Sequence, residues 1–522
     1  MANKTLFATV RGMLMPAADD TINHESAPAY AFSPKHALAQ YAATGCFGRT
    51  FYATAEEQLA RVLELCQSVE PEFVAQTAIY ARRHSYMKDM PALLCAWLST
   101  RDPRLHEAVF AHVIDNTKIL RTYVQIVRSG VTGRKSLGTA PKRLVREWLA
   151  GRNEESLFRG SVGADPSMAD ILKMVHPKPA NSRREAFYGY MLGRPFDSAA
   201  LPPLVVDFER FKAGEELDPP DLPFTMLSAL PLKRKDWAAI ARHASWQTVR
   251  MNLNTFARHG VFEEAGMTEH IANQLRDAAE IARARVFPYQ LMSAYQNCGA
   301  EVPSAIREAL QDAMEVAIAN VPAVDCSNGG TVVVCPDVSG SMASPVTGLR
   351  RGATTSVLCI DIAALVTAAL LRRNPRARVL PFAGDVVPVD LNPRDSVMTN
   401  AARLASIGGG ATNCSAPLSV LNRERAQVDA VVFVSDNQSW IDPRVGRGTA
   451  LLQEWQNLRA RNPKARMVCV DVQPYETTQA ADRDDILNVG GFSDQVFDVI
   501  SAFVSGELDP EHWMGRIEAI AV

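Results

Sequence analysis

Apolar residues recur at helical spacing through the first 320 residues of the chain. Leu59, Val62, Leu63 and Cys66 fall at i, i+3, i+4 and i+7, as do Leu105, Ala108, Val109 and His112. Leu120, Tyr123, Val124 and Val127 form a third such stripe. One face of each segment is therefore apolar and must be covered by a neighbour. Breakers such as Pro71, Pro91, Pro103, Gly130 and Pro141 divide the stretch into helices of about 10–15 residues. Few alternating β-branched runs interrupt them. A succession of short amphipathic helices without strict repeats predicts an α-solenoid. Ala199–Pro223, rich in Pro and Asp, reads as a long connection.

The pattern changes between Val321 and Gly330, where Pro322-Ala323-Val324-Asp325-Cys326-Ser327-Asn328-Gly329-Gly330 reads as a linker. Beyond it, Val-rich strands alternate with helices. Strands are predicted at Thr331–Cys335, Arg378–Phe382, Ala430–Val434 and Arg466–Val472, with helices at about Thr354–Arg373 and Ala450–Ala460. Apolar strands bounded by helices indicate a parallel, doubly wound sheet covered on both faces. The predicted fold is mainly α with an α/β domain, residues 1–320 forming the helical part and 321–522 the Rossmann-like part.

Ligands of such sheets bind beyond the carboxyl ends of the strands, where two polar clusters fall. Asp337, Ser339 and Ser341 follow one strand as D-x-S-x-S, and Asp436 follows another in V-S-D-N. The glycine-rich loop Gly408–Asn413 brings Thr412 toward both. A hydroxyl and carboxylate oxygen set suits a hard divalent cation, most simply Mg²⁺. A helix-capping turn is the alternative for D-x-S-x-S on its own. No histidine lies between Val321 and Glu511, so the region cannot build a Ser-His-Asp triad.

Composition excludes several classes. With 47% hydrophobic and 21% charged residues and a net charge of -2, the chain is neither disordered nor a general polyanion binder. Residues 101–194 nevertheless hold a surplus of Lys and Arg, which marks one face for a polyanion or for plain solvation. The most apolar stretch, Ser356–Leu371, contains Asp361, and Arg11 interrupts the only candidate signal core, so neither a membrane span nor a secretory signal is expected. Nine cysteines without a CxxC pair fit reduced thiols and a cytoplasmic protein. Cys46 and Cys414, in polar loops, are the candidates for exposure; Cys95, Cys335, Cys359 and Cys469 belong to apolar runs.

The D-x-S-x-S, Thr412 and Asp436 arrangement resembles a von Willebrand factor A domain with a metal-ion-dependent adhesion site. That resemblance implies Ser339, Ser341 and Thr412 as ligands, with Asp337 and Asp436 binding directly or through water. The segment Cys46–Tyr52 is similar to a Gly-Thr-Tyr-Tyr-like turn of the Ro (SS-A/Ro) ribonucleoprotein family. Met168–Pro179 resembles that family's K-D-L-L-R-L-x-H-x-K-P segment. Ala481–Asp485 with Gly490-Gly491-Phe492 resembles its D-P-D-D…C-G-F-D stretch. The resemblance extends over nearly the full length and is to the bacterial form of the family. It implies a HEAT-like ring of helical repeats, the TROVE domain, closed by the A domain.

What the resemblance implies for function is a non-enzymatic RNA scaffold. Single-stranded 3′ ends of misfolded or damaged non-coding RNA enter the ring, and Y-like RNA binds outside. An exoribonuclease is an implied partner, a monomer is the implied state, and no DNA specificity is expected. Lys173, His176 and Lys178 match the H-x-K-P segment, with Arg159 upstream. Lys135, Lys142, Arg143 and Arg146 lie in a basic stretch similar to G-R-G-L-R-R-A-V, and two or three of the last three charges share one helical face. Arg250, Asn252 and Asn254 resemble the L-R-N-L segment that lines the hole. Gly163 and Ala411 depart from the family's basic residue and glycine at those places. Two other readings remain: an adaptor that grips a partner carboxylate through the metal, and a nuclease, which the hydroxyl-rich ligand set disfavours.

Overall fold

The computed structural model describes residues 19–45, 47–163, 165–284, 288–319, 321–324, 331–346, 357–439, 448–491, 495–507 and 512–522. Eight strands occur among them: β1 (Thr21–Ile22), β2 (Pro28–Ala31), β3 (Val332–Pro336), β4 (Arg378–Val379), β5 (Ala430–Ser435), β6 (Arg466–Asp471), β7 (Thr477–Thr478) and β8 (Ile486–Gly490). The chain separates into two compact units, and the division does not follow sequence order. The unit built on the main sheet also takes in the chain up to Val69, and the helical unit begins at Glu70.

In the sheet unit, five strands run in the order β4-β3-β5-β6-β8 with every neighbour parallel. The central strands are buried along their whole length, which explains their Val-rich composition. The helices Cys359–Arg373 and Ala450–Arg461 are those the periodicity predicts; the first is capped at Leu358, and the expected start at Thr354 lies outside the described residues. Phe382, Phe433, Trp455 and Leu418 belong to one apolar cluster with the strands. Tyr30, from β2, belongs to it as well.

A second, antiparallel sheet has the order β1-β2-β7. Residues near the start of the chain thus complete an edge of the α/β unit. The helix Pro34–Thr44 follows, and its Gln40 amide donates to buried Asp471 at 2.8 Å. The helix Ala55–Ser68 is opened by a Thr54–Glu57 capping box, and Arg61 binds both oxygens of Glu476.

The helical unit is a run of short helices, among them Pro71–Arg83, Asp89–Leu98, Pro103–Val113, Thr117–Ser129, Thr139–Ala150, Met168–Val175 and Ser182–Leu192. Each packs on the next or on the next but one, as a helical repeat requires. The predicted stripes face inward: Val109, Leu120, Tyr123, Val124 and Val127 are fully buried. Ala199–Pro223 is not all connection, because Pro203–Lys212 forms a helix. Pro203 occupies its first turn, where a missing N–H costs nothing, and Leu204 and Val205 are buried.

Candidate functional site

The five residues expected at the metal centre lie together at the carboxyl ends of β3 and β5. Asp337 leaves β3 with its N–H donating to Val434 O at 2.9 Å, which holds it against β5. Ser339 N donates to Asp337 Oδ1 at 2.8 Å, and Ser435 Oγ donates to Oδ2 at 2.5 Å. The Ser339 and Ser341 hydroxyl oxygens are 3.3 Å apart, and Ser341 hydrogen-bonds Asp436. The glycine loop docks on this turn: Gly409 N donates to Val338 O at 2.8 Å and Gly340 N to Gly410 O at 3.0 Å. Gly409 and Gly410 take φ of 123° and 92°, a region that favours glycine. Ala411 is not among the residues with positive φ, so the departure there leaves the loop unstrained. Asp337, Ser339, Ser341, Thr412 and Asp436 are all buried.

Two carboxylates in this position are costly as they stand. Burial first, and then the charge of Asp337, push Asp436 up to about 7. Burial raises Asp337 too, against the hydrogen bonds of Ser339 and Ser435. No Lys, Arg or His among the described residues pairs with either acid. A divalent cation would supply the missing charge, and the hydroxyl oxygens around it are uncharged donors that suit Mg²⁺. The described residues contain no group of three or more His, Cys, Asp or Glu placed to hold a metal ion. The donor set is instead two carboxylates and three hydroxyls, a combination unlike that of a transition-metal site.

Sequence reasoning missed the residues that hold this centre. Ser439 Oγ donates to Thr412 O at 3.2 Å, and Asn437 Nδ2 donates to Asp471 Oδ1 at 3.0 Å. Asn23 Nδ2 reaches Ser439 O at 2.5 Å, and His24 N reaches Gln438 Oε1 at 3.1 Å. The polar run Ser435–Ser439 directly after a buried strand was the available signal; nothing local pointed to Asn23. Cys414, read as a candidate for exposure, is buried beside Ser439, whose hydroxyl accepts its N–H. Cys46 lies outside the described residues.

The basic residues sort differently in the helical unit. Arg146 donates to Val175 O, which brings the helix Thr139–Ala150 against the end of Met168–Val175. Lys142, one turn earlier, shares its face. His176 caps the second helix at φ 48°, and Ser167 and Asp170 form the capping box at its start. A cavity of about 300 Å³ is lined by Lys173, His176, Pro177, Tyr188 and Arg194, among others, with Lys178 next along the chain. Lys135, Lys173, His176 and Lys178 are exposed and Lys142 half-buried, and no hydrogen bond or ion pair engages them among the described residues.

Other expected contacts are engaged elsewhere. Arg143 turns to Glu107 at 2.6 Å and Glu147 at 3.0 Å, so its charge is locally matched. Arg159 pairs with Asp221 at 2.8 Å on a separate cleft. Asn252 sits at a kink in the helix Trp246–Arg258 and donates to Thr248 O at 2.8 Å. Asn254 holds the loop at residues 297–299, donating to Asn297 O at 2.7 Å and accepting from Gly299 N at 2.8 Å. Arg250 donates to Gln247 Oε1 at 3.1 Å, and Met251 beside it is 72% exposed. At Gly163, φ is 110° and a β-carbon would meet the Arg121 guanidinium, which already fills the space.

Residues 331–504 match the family model described as the Ro60 vWA domain. RNA-binding protein RO60 of Deinococcus radiodurans is 24% identical over 524 residues, covering 92% of this chain and 94% of its own. RNA-binding protein RO60 of Caenorhabditis elegans is 21% identical over 267 residues, 49% of this chain and 40% of that protein. The crystal structure of the Deinococcus radiodurans Ro (RSR) protein superimposes with a TM-score of 0.62 at 21% identity, covering 91% of this chain and 100% of that one. The chain is thus similar to the Ro proteins over nine-tenths of its length, shares the fold of the Ro (RSR) protein, and matches the Ro60 von Willebrand A domain at residues 331–504.

Proposed function

We propose that the protein is a non-enzymatic RNA-binding scaffold of the Ro type, acting in the quality control or processing of non-coding RNA. The observation that carries this reading is the groove beside His176. It has Lys173, His176 and Arg194 around a cavity of about 300 Å³ that Glu185 also lines, with Lys178 next along the chain, in a chain whose curated relatives are named RNA-binding proteins. Lysines without internal partners hold their charge for phosphates at no cost in broken ion pairs. A groove with cationic side chains at its wall suits the phosphates of single strands and loops. In this reading Y-like RNA occupies the groove. Single-stranded 3′ ends enter the ring of repeats that the family likeness implies, where only an unpaired end fits.

Asp337, Ser339, Ser341, Thr412 and Asp436 would hold Mg²⁺. Bound there, it would offer an electrophilic position to a carboxylate or phosphate oxygen of a partner. Ser341 orients Asp436, and Ser435 with the Ser339 N–H fixes Asp337, so the residues are set for binding rather than for proton transfer. The second reading, a metal-dependent protein adaptor, is favoured by this same centre, and a docked exoribonuclease would satisfy both.

The test is equilibrium binding of a hairpin RNA with a single-stranded 3′ tail against its blunt counterpart, titrated with salt. Tail-dependent, salt-sensitive affinity supports the scaffold. Equal and weak binding of the two forms removes the RNA role and leaves the adaptor.

A further inference from the structure

The candidate metal residues sit at the carboxyl ends of β3 and β5, and a different polar cluster lies at the opposite rim of the same parallel sheet. Asp485 comes just before β8 and Ala465 just before β6, at the amino ends of those strands. Asp485 is buried, and it accepts Trp455 Nε1 at 2.8 Å and Arg483 Nε at 3.0 Å. Arg483 Nη2 reaches Asp485 Oδ2 at 3.4 Å, and Arg459 Nε pairs with the same oxygen at 3.2 Å. Arg459 Nη1 donates to Ala465 O at 2.7 Å, which fastens the last turn of the helix Ala450–Arg461 to the start of β6.

Two guanidinium groups thus share one carboxylate, which matches one of their two charges. Arg459 Nη2 and Arg483 Nη1 make no hydrogen bond among the described residues. The two side chains are only 29% and 34% exposed, so neither fork is fully hydrated. Burial lowers Arg459 from the ordinary guanidinium range; Asp485 opposes that, and the charges of Arg483 and Arg466 add to it. Both arginines, with Pro463 and Gln456, line a cavity of about 520 Å³. Gln456 Nε2 is itself buried and has no acceptor among the described residues. Residues 459–466 add Arg461 and Lys464, both exposed, and contain no acid. Guanidinium forks half out of water and short of one negative charge suit a planar oxyanion bound by two N–H groups. Asp484 also lines the cavity, exposed and without a partner among the described residues. Its charge opposes a continuous polyanion such as RNA, as does the excess of Asp and Glu over Lys and Arg in residues 321–522. A side-chain carboxylate brings a single charge and can enter past it.

We propose that Arg459 and Arg483 form a docking site for a carboxylate of an acidic protein segment, on the rim of the sheet opposite the candidate metal centre. The incoming carboxylate supplies the charge that Asp485 cannot, while Asp485 holds the two forks in place. The site shares no residue with that centre or with the groove beside His176, and needs neither of them.

The test uses the full chain and fluorescein-labelled hexaglutamate, with hexaglutamine and hexauridylate carrying the same label as further probes, read by anisotropy at low salt. Wild type should bind hexaglutamate and ignore hexaglutamine. Arg483→Gln should weaken hexaglutamate binding about tenfold, the loss expected of one charge-assisted contact. Asp484→Asn should strengthen it about two- to fivefold, because an exposed like charge is removed. A cluster that serves stability alone would leave Asp484→Asn at the wild-type affinity, so this variant decides the matter even if Arg483→Gln fails to fold. Hexaglutamate held by the basic groove of the helical unit would respond to neither substitution. No binding of hexaglutamate by wild type overturns the proposal, as does equal affinity in wild type and both variants. If the variants shift hexauridylate and not hexaglutamate, the cavity takes RNA phosphate and the protein-partner assignment falls.

Discussion

The basic groove makes a prediction that separates matched from unmatched charge. Lys173 in that groove, Lys178 next to it, and Lys135 and Lys142 elsewhere on the helical unit carry no ion pair among the described residues, whereas Arg143 is matched by Glu107 and Glu147. Each phosphate contact contributes a slope of about 0.7 (single strand) to 0.9 (duplex) to the fall of log K with log salt. If all the unpaired lysines contact phosphate, affinity for a tailed hairpin falls about 50- to 150-fold between roughly 50 and 200 mM salt from these contacts alone. Lys173→Ala with Lys178→Ala should reduce the slope by about 1.4 to 1.8. Arg143→Ala should change it by only a few tenths, because the protein has already matched that charge. Fluorescence anisotropy at four or five salt concentrations measures all three slopes. An Arg143→Ala slope change as large as that of the lysine pair would refute the reasoning, as would a lysine double variant with the wild-type slope.

Four further outcomes follow from the structure. Arg184 is buried, and its guanidinium is held by Glu154 at 2.7 Å and by three backbone or hydroxyl oxygens. Glu154→Ala should destabilise the helical unit by about 3–5 kcal/mol in a urea titration, since it leaves a buried charge unmatched, and a loss under about 1 kcal/mol would count against that account. Asn254→Ala should cost about 0.5–1.5 kcal/mol by releasing the loop at 297–299, with tailed-RNA affinity little changed; the reverse pattern would restore Asn254 as an RNA contact. Mg²⁺ at about 100 times its Kd should stabilise the sheet unit by about 2.7 kcal/mol, and Asp337→Ala or Thr412→Ala should abolish the shift seen by calorimetry. His106, packed against Tyr123 OH at 2.8 Å, is depressed to about 4 by burial and then by Arg134. Because the unfolded chain takes up this proton more readily, stability should be intact above pH 6.5 and decline as pH falls toward 4; His106→Asn should flatten that part of the acid profile.

Strands β3, β5 and β6 were legible because a buried parallel strand must be apolar throughout, and runs such as Ala430–Val434 have no other economical reading. The candidate metal residues were legible because Asp337 and Asp436 come directly at the ends of such strands and Thr412 sits in a glycine-rich loop. β1 and β2 were not legible. They have 2 and 4 residues, too few for any periodicity, and the partner of β2 is the 2-residue β7 at the far end of the chain. The supports of this candidate site were hidden for the same reason: Asn23 and Gln40 act on residues more than 400 positions away. Asn252 and Asn254 show the converse error. An amide on a helix reads as a free donor until the kink and the loop that use it are known. Arg143 carries charge in the sequence, but only packing reveals Glu107 beside it.

The pairing of β2 with β7 also sets a clock on synthesis. Asn23 and its partner Ser439 are separated by 416 residues. At about 5–20 residues per second, a ribosome needs roughly 20–80 s to make that interval. During that time Asn23, β2 and the helix Pro34–Thr44 have no sheet to join, while the helical unit from Glu70 onward emerges and has its partners at hand. The edge beside Gln438 and Ser439 is therefore among the last parts of the molecule to close. Tyr30, Tyr41 and Leu38 spend the wait exposed, a load of apolar surface that a nascent-chain chaperone would be suited to shield.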